Sequence, residues 1–232
     1  MRKSMITLEE YKEKAKDEEY APGWNAIDDA IIEIYGEQEP QHFGTLLTAR
    51  AIFGGPEHLD GYSIYQSENG NIPYVHIITY GMSELYGNVE AYGKEYSKWG
   101  YEMTIKVVQE EGEDYYWAMN MLGNLARYTN TNEHAWFEEN QYVLGDGSPI
   151  KIGAVSKISS LLIVKDTELQ SKDTVHGRLD FMQLVGITFE EAKAIRRNIK
   201  NLSIILEAMR KENPLLITDL KRTREYLEDI VE

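Results

Sequence analysis

Residues 164–191, VKDTELQSKDTVHGRLDFMQLVGITFEE, specify more of the architecture than any other stretch of this chain. The segment starts at the end of an apolar strand, passes through an acidic turn, continues as a second apolar strand and ends at a helix start. Thr188 and Glu191 have the spacing of a capping box, in which two side chains satisfy free backbone N–H groups. Strands followed by a helix in one unit predict an α+β (mixed α/β) fold, with a single compact domain and a mixed β-sheet flanked by helices.

Four segments have the sequence pattern of helices. A second capping box predicts a charged helix over residues 7–20. Apolar residues three or four positions apart predict helices over residues 24–35 and 117–128. The same spacing predicts one long helix over residues 188–213, with Ile199 in its apolar stripe and a proline at its end.

Strand patterns occupy the middle of the chain. Residues 62–65 and 74–80 are rich in aromatic and β-branched side chains, and the polar connection between them predicts a hairpin. Residues 101–107 alternate apolar with polar side chains, which predicts a strand that is buried on one face only. Glycine, proline and aspartate mark turns at residues 54–56 and 145–149.

The chain shows no internal repeat, low-complexity segment or linker that would divide it. We expect residues 1–20 to form an N-terminal charged helix, residues 21–224 to form the domain, and residues 225–232 to be a C-terminal tail.

Composition excludes several functional classes. The 232 residues include no cysteine, which excludes disulfides, thiolate metal sites and a thiol nucleophile and is compatible with a reducing compartment. The net charge of −15 argues against direct binding of nucleic acid or of an anionic membrane, and it favours a basic protein partner. The basic residues between Lys193 and Arg224 are interpreted as the solvated face of a helix. With no secretory signal and no apolar run long enough to span a bilayer, we expect a cytoplasmic protein.

No motif predicts a catalytic, cofactor or metal site. Ser83 lacks the glycine that a nucleophile elbow requires two positions later, since Glu84 stands there. The five histidines show no zinc-binding spacing, and His76 within an apolar strand is interpreted as a hydrogen-bonded core residue. We therefore expect no catalytic residue and no small-molecule ligand. The alternative is an enzyme whose site assembles from scattered residues such as Glu84, Arg127 and His76.

Aromatic richness is the strongest indication of binding. Sixteen tyrosines and four tryptophans favour protein interfaces, where these side chains give large contact area at low entropic cost. We expect partner contacts in residues 79–101 and 145–149, because aromatic clusters and long loops carry recognition. The candidate partner-binding residues are Tyr80, Glu84, Tyr86, Tyr92, Tyr96, Trp99 and Asp146. The alternative for residues 81–86 is a structural turn at the end of the sheet.

A series of ordered blocks resembles the suppressor of fused family. The match covers about residues 21–224, and its most specific block is TYGMSELY at residues 79–86. The other blocks are residues 21–28, 38–45, 54–65, 99–104, 124–128, 166–169, 177–188 and 213–220.

The resemblance implies a compact α/β domain that binds protein without catalysis. The animal member clamps a transcription-factor peptide as an added strand between two domains. This chain is too short to hold both domains, so no contact residue of that clamp is transferred to it. Compact bacterial members are similar to immunity proteins that neutralise toxins.

The sequence leaves three hypotheses of function, and the resemblance, the negative charge and the lack of catalytic motifs motivate the first. The first is an immunity protein, or antitoxin, that binds and inhibits a cognate bacterial toxin. The toxin domain that it binds would be basic. The second is the enzyme described above. The third is a regulator that captures an extended peptide of a transcription factor by strand addition.

Overall fold

The computed structural model describes residues 6–45, 58–132, 138–143, 145–228 and 230. The predicted turn at residues 54–56 and His134 lie outside the described residues. Within the described part, the helices are α1 (Leu8–Lys14), α2 (Pro22–Tyr35), α3 (Tyr116–Thr131), α4 (Phe189–Arg197) and α5 (Lys200–Glu212). The strands are β1 (Gln41–Gly44), β2 (Gly61–Asn69), β3 (Ile72–Tyr80), β4 (Tyr96–Val108), β5 (Gln141–Val143), β6 (Ile158–Lys165), β7 (Lys172–Thr174) and β8 (Gly177–Thr188).

The strands form one mixed sheet in the order β1-β2-β3-β4-β8-β6-β5, with the short β7 paired to β8. Strands β4 and β8 run parallel, and the other pairs are antiparallel. The predicted hairpin is confirmed as β2 and β3, which are longer than their apolar runs and turn at Gly70. The predicted mixed sheet with flanking helices is therefore confirmed.

Helices cover both faces of the sheet. On one face, α3 packs its buried side chains, including Leu122 and Ala126, against apolar residues of β2, β3, β4, β6 and β8. On the opposite face, α2 packs near β3, while α4 and α5 pack over β6 and β8. The second face thus carries two separate apolar clusters, and a strip of polar side chains lies on the strands between them.

That polar strip corrects the prediction that residues 101–107 are buried on one face only. The polar side chains of β4, Glu102, Thr104 and Lys106, are as fully buried as its apolar ones. The pattern of alternation is real, but the polar face meets other polar groups inside the protein instead of water.

The predicted long helix over residues 188–213 is also wrong, because it is interrupted between α4 and α5. Asn198 adopts an extended backbone (φ −150°, ψ 113°), and its side-chain oxygen accepts a hydrogen bond from the N–H of Lys200 at 3.1 Å. The Asn201 amide donates to the carbonyl of Ala194 at 2.9 Å. These side chains replace helical hydrogen bonds, and Ile199 is left 60% exposed.

Both ends of the described chain are packed onto the domain. The capping box at Thr7 is confirmed, but α1 ends at Lys14, well before the predicted limit at residue 20. Tyr11 of α1 is fully buried, and its hydroxyl lies 2.7 Å from Nε2 of His176 and accepts from the N–H of Asn88. Near the other end, Tyr226 packs into the cluster of α4 and α5.

Candidate partner-binding site

The polar strip is centred on a buried carboxylate, Asp166, in the turn after β6. Its Oδ1 accepts from Nζ of Lys106 at 2.8 Å and from two backbone N–H groups of the same turn at 2.9 and 3.0 Å. Its Oδ2 accepts from the Thr104 hydroxyl at 2.5 Å and faces Nε2 of His76 at 3.0 Å. Burial alone would raise the pKa of Asp166, but His76 and Lys106 outweigh it and hold the pKa well below its usual range.

His76 is a hydrogen-bonded core residue, as the sequence predicted, and its burial favours the neutral ring. Burial lowers the pKa of His76, and Asp166 opposes that shift. Since Nε2 faces a carboxylate it carries the proton, and Nδ1 therefore accepts from the Tyr35 hydroxyl at 2.8 Å. Every polar atom of the ring is engaged in holding α2 and the turn after β6 onto the sheet. The ring is closed to solvent.

The structure does not bring together the scattered residues of the enzyme hypothesis. Glu84 accepts from the amide of Asn88 at 2.9 Å, and Arg127 donates to the side chain of Asn124 on α3. The two ring nitrogens of His76 bond instead to Tyr35 and Asp166. In the described part of the chain, no group of three or more acidic or histidine side chains is arranged to hold a metal ion.

A second buried carboxylate, Glu102, organises residues 79–83. Its Oε1 accepts from the N–H groups of Gly81 and Ser83 and from the Ser83 hydroxyl at 2.6–3.0 Å. Its Oε2 accepts from the Thr79 hydroxyl at 2.7 Å and from the N–H of Met82 at 3.2 Å. Burial raises the pKa of Glu102, and these donors oppose that shift. The Ser83 hydroxyl is thus committed to a structural bond, and the start of the block at residues 81–86 is a turn at the end of the sheet.

Four of the seven predicted contact residues are built into the domain. Tyr80 is only 1% exposed, with its hydroxyl donating to Asp28 at 3.0 Å, so its ring offers almost no surface to a partner. The Tyr92 hydroxyl donates to the carbonyl of residue 6, and the Trp99 indole donates to Asn130. The backbone carbonyl of Glu84 faces His176 Nδ1 at 3.1 Å. Each links segments that are distant in sequence.

The other three predicted contact residues are exposed. Tyr86 and Tyr96 are 45% and 40% exposed, and Asp146 lies in the open loop after β5. Tyr96 borders a small acidic cleft with Asp180. The seven residues therefore do not form one surface, because their side chains separate into interior links and dispersed exposed groups.

The loop at residues 145–149 borders an open, largely apolar cleft, which we call the α3 cleft. It has a volume of about 560 Å³ and lies between α3, the loop after β5 and the start of β6. Trp117, Met121 and Leu125, four positions apart on α3, line it together with Ile150 and Leu161.

Polar and exposed groups surround the α3 cleft. Glu113 and Asp114 contribute carboxylates to its lining, and Glu113 pairs with Lys151. Ile152 is 96% exposed at the cleft, and Val155 in the same loop is fully exposed. Two aliphatic side chains are thus exposed in the loop that borders this cleft, and Ile152 lies in its lining.

A glycine brings the loop against the sheet beside the α3 cleft. The N–H of Gly145 donates to the Ser160 hydroxyl at 3.0 Å, and a Cβ at position 145 would lie 1.8 Å from the carbonyl oxygen of Ser159. Only glycine permits this approach. The loop that the turn residues predicted is thus fixed beside the cleft.

Both ends of the sheet are edge strands. Within the described residues, β1 pairs only with β2 and β5 pairs only with β6, so each has an outer side that no described strand covers. Free N–H and C=O groups along such an edge are available for pairing with an added strand.

Sequence reasoning missed the apolar part of the α3 cleft. The apolar spacing on α3 predicted the helix but did not distinguish the core stripe from Met121 and Leu125, which lie toward the cleft. Ile152 and Val155 lie in a run with neither helical nor strand periodicity. That lack of pattern was the only sequence signal that these two apolar side chains lie outside the core.

No helix in the part of the chain that the structure describes has the length and apolarity needed to cross a lipid bilayer.

Comparison with known sequences gives consistent matches. The sequence profile of the family described as Suppressor of fused protein (SUFU) matches residues 55–223. The Suppressor of fused homologs of Homo sapiens and Mus musculus are each 31% identical to this chain over 213 residues, which is 82% of this chain and 42% of each homolog. The chain thus spans less than half the length of these curated relatives.

Solved structures share the fold. A chain from "the Sufu-Fu complex crystal structure" superimposes with a TM-score of 0.75 and 26% identity, over 89% of this chain and 93% of that chain. The "Crystal structure of Drosophila Suppressor of Fused" gives a TM-score of 0.76 and 25% identity, over 91% of this chain and 53% of that chain.

Proposed function

The chain belongs to the suppressor of fused family, and from this membership we propose that it is a non-catalytic protein-binding domain that acts by occupying the surface of another polypeptide. The observation that carries the proposal is the α3 cleft, an open apolar surface beside the edge strand β5. The similar chain in the Sufu-Fu complex crystal structure supports a protein as the class of partner.

The ionisable groups of the interior support binding over catalysis. A general acid or base must reach a substrate with a free lone pair or proton. Asp166, His76 and Glu102 are closed to solvent, and their polar atoms are saturated by internal hydrogen bonds. These groups stabilise the domain and are not presented to a ligand.

The composition of the α3 cleft fits a polypeptide partner. Trp117, Met121 and Leu125 provide aromatic, thioether and aliphatic surface, and such side chains are favoured at the centre of protein interfaces. The Asp114 carboxylate adds a negatively charged group to this surface, whereas Glu113 is paired with Lys151. A partner that inserts an apolar side chain and surrounds it with basic residues would match this cleft.

The specific role that we propose is neutralisation of a cognate bacterial toxin. The net charge of −15 favours fast association with a basic partner, and many toxin domains that act on nucleic acid must be basic. A folded inhibitor needs no catalytic group, since covering the toxin surface is sufficient. The outer side of β5, which no described strand covers, favours a second candidate role, the capture of an extended peptide by strand addition.

Co-purification with the product of the adjacent gene tests the proposal. We expect the native chain to form a one-to-one complex, and Ile152→Asp to weaken its Kd at least tenfold by placing a carboxylate in the apolar contact. Ile199→Asp is the matched control, because Ile199 is also an exposed isoleucine but lies between α4 and α5 on the opposite face. Equal binding by both variants, or no complex with a folded partner, would refute the proposal.

A further inference from the structure

A second cleft, separate from the α3 cleft, lies between α2 and the β1 edge of the sheet. It has a volume of about 640 Å³. One face of α2 lines it with Trp24, Asp28 and Ile32, which are four positions apart in sequence. The β1 side of the cleft includes His42. We call it the α2 cleft.

Aromatic rings form a wall of the α2 cleft. The rings of Trp24 and Tyr80 are 4.4 Å apart at an interplanar angle of 31°, and His42 packs against both at 5.4 and 5.6 Å. Tyr65 also lines the cleft and stacks on Tyr35 at 4.7 Å. The two rings pack on each other and do not enclose a void. Since Tyr80 is almost fully buried, the half-buried Trp24 supplies the aromatic surface that a ligand can reach.

A carboxylate stands at the edge of this aromatic surface. Asp28 is half-buried, and its Oδ1 accepts from the Tyr80 hydroxyl at 3.0 Å. Burial raises the pKa of Asp28, which means that its charged form lacks full solvation and would gain from an arriving cation. Glu37 and Glu39 add two exposed carboxylates, and no lysine or arginine is among the residues that line the cleft.

We propose that the α2 cleft binds an arginine side chain of a partner polypeptide. A planar guanidinium stacks on an aromatic face while its N–H groups bond to a carboxylate, and Trp24 and Asp28 offer both contacts side by side. A quaternary ammonium would need rings around it on several sides, and the packed pair of rings does not provide this. A polypeptide is favoured over a free guanidinium because β1, whose outer side no described strand covers, contributes to the cleft and could form main-chain hydrogen bonds with an added strand.

This inference is independent of the proposed function, since it concerns a different cleft and is tested with a different probe. The probe is the peptide acetyl-Ala-Ala-Arg-Ala-Ala-amide, titrated into the full chain and followed through the Trp24 indole N–H signal in NMR spectra. That signal is assigned by its loss in Trp24→Phe. We expect a saturable shift with the arginine peptide, and at least tenfold weaker binding of the same peptide with neutral citrulline.

Matched variants separate Asp28 from the general negative charge of the chain. We expect Asp28→Asn to weaken binding of the arginine peptide about tenfold. Asp29→Asn, at the adjacent exposed position, should change the Kd by less than about twofold. Asp28→Asn keeps an oxygen that can accept from the Tyr80 hydroxyl. If that variant unfolds, the comparison of the arginine and citrulline peptides on the native chain still tests whether the cleft recognises the guanidinium. Equal shifts with arginine and citrulline, or equal effects of the two variants, would overturn the proposal. Equally tight binding of agmatine would overturn the assignment to a polypeptide.

Discussion

Replacing Asp166 with asparagine removes the charge at the centre of the buried polar strip without changing the shape of the side chain. The carboxylate accepts from Lys106 at 2.8 Å, from Thr104 at 2.5 Å, from His76 at 3.0 Å and from two backbone N–H groups. An amide has one acceptor oxygen, so Asp166→Asn places an N–H₂ group against existing donors and leaves a lysine buried without its main counter-ion.

The contacts that Lys106 retains set the size of the effect. Breaking a buried ion pair by removing one partner destabilises a protein by about 3–5 kcal/mol. In Asp166→Asn, Nζ of Lys106 would keep Thr167 at 2.8 Å, Gln183 at 3.2 Å and the Glu168 carboxylate at 3.3 Å. We therefore expect a loss near the lower limit, about 3 kcal/mol in the free energy of unfolding.

Urea unfolding at pH 7, followed by circular dichroism, measures this loss. Glu190→Gln is the matched control, because it breaks the exposed Lys193–Glu190 pair, which has an N–O distance of 3.0 Å, and should cost less than about 0.5 kcal/mol. The reasoning is refuted if Asp166→Asn costs less than about 1 kcal/mol. A cost equal to that of the control would refute it as well.

Three further predictions concern stability. Burial lowers the pKa of both His76 and His176, so the folded state favours their neutral forms. Their contribution to the stability of the folded state is present above about pH 6.5 and is lost as the pH falls. The urea midpoint should therefore be lower at pH 5 than at pH 7.5. Gly23→Ala should cost at least about 2 kcal/mol, since its Cβ would lie 1.9 Å from a backbone oxygen. Gly44→Ala is the control and should cost less than about 1 kcal/mol, because open space surrounds that position. Similar urea midpoints for the two variants would contradict this prediction. Tyr11→Phe should cost about 1–3 kcal/mol and increase hydrogen exchange in α1, because it removes the hydroxyl that links the buried His176 to the backbone of Asn88. Unchanged exchange would show that this hydroxyl does not hold the helix.

Local sequence signals predicted the elements whose stabilising contacts are local. The capping boxes at Thr7 and Thr188 appear with both of their hydrogen bonds, because all participating groups lie within four residues. The hairpin of β2 and β3 likewise follows from a polar turn between two apolar runs.

Features that depend on distant partners were not predictable in the same way. The polar side of β4 is buried because Thr104 and Lys106 meet Asp166, which is about 60 residues later in the chain. Periodicity shows that one face of a strand is polar, but it does not show whether water or other protein groups form the hydrogen bonds of that face. The break between α4 and α5 was missed because Ile199 fits the apolar stripe, while Asn198 and Asn201 offer the backbone alternative bonds.

The candidate site was predicted in part. Glycine and proline mark a surface loop directly, and Gly145 of the loop at residues 145–149 lines the α3 cleft. Asp146 is exposed in that loop but does not line the cleft, and its role in binding stays a prediction. The aromatic residues at 79–101 were less informative, because Tyr and Trp suit interiors and interfaces equally well. Tyr80 illustrates this ambiguity, with its ring in the interior and its hydroxyl bonded to Asp28.

The most direct test titrates the proposed partner, the purified product of the adjacent gene, with this chain. Residual activity of that partner, recorded after short and long incubation, distinguishes inhibition by binding from catalytic inactivation. Binding of one surface by another predicts complete inhibition at one molar equivalent, independent of time, and a shift to higher concentration with Ile152→Asp. Inactivation of the whole partner sample by a small fraction of an equivalent, progressing with time, would contradict a non-catalytic function.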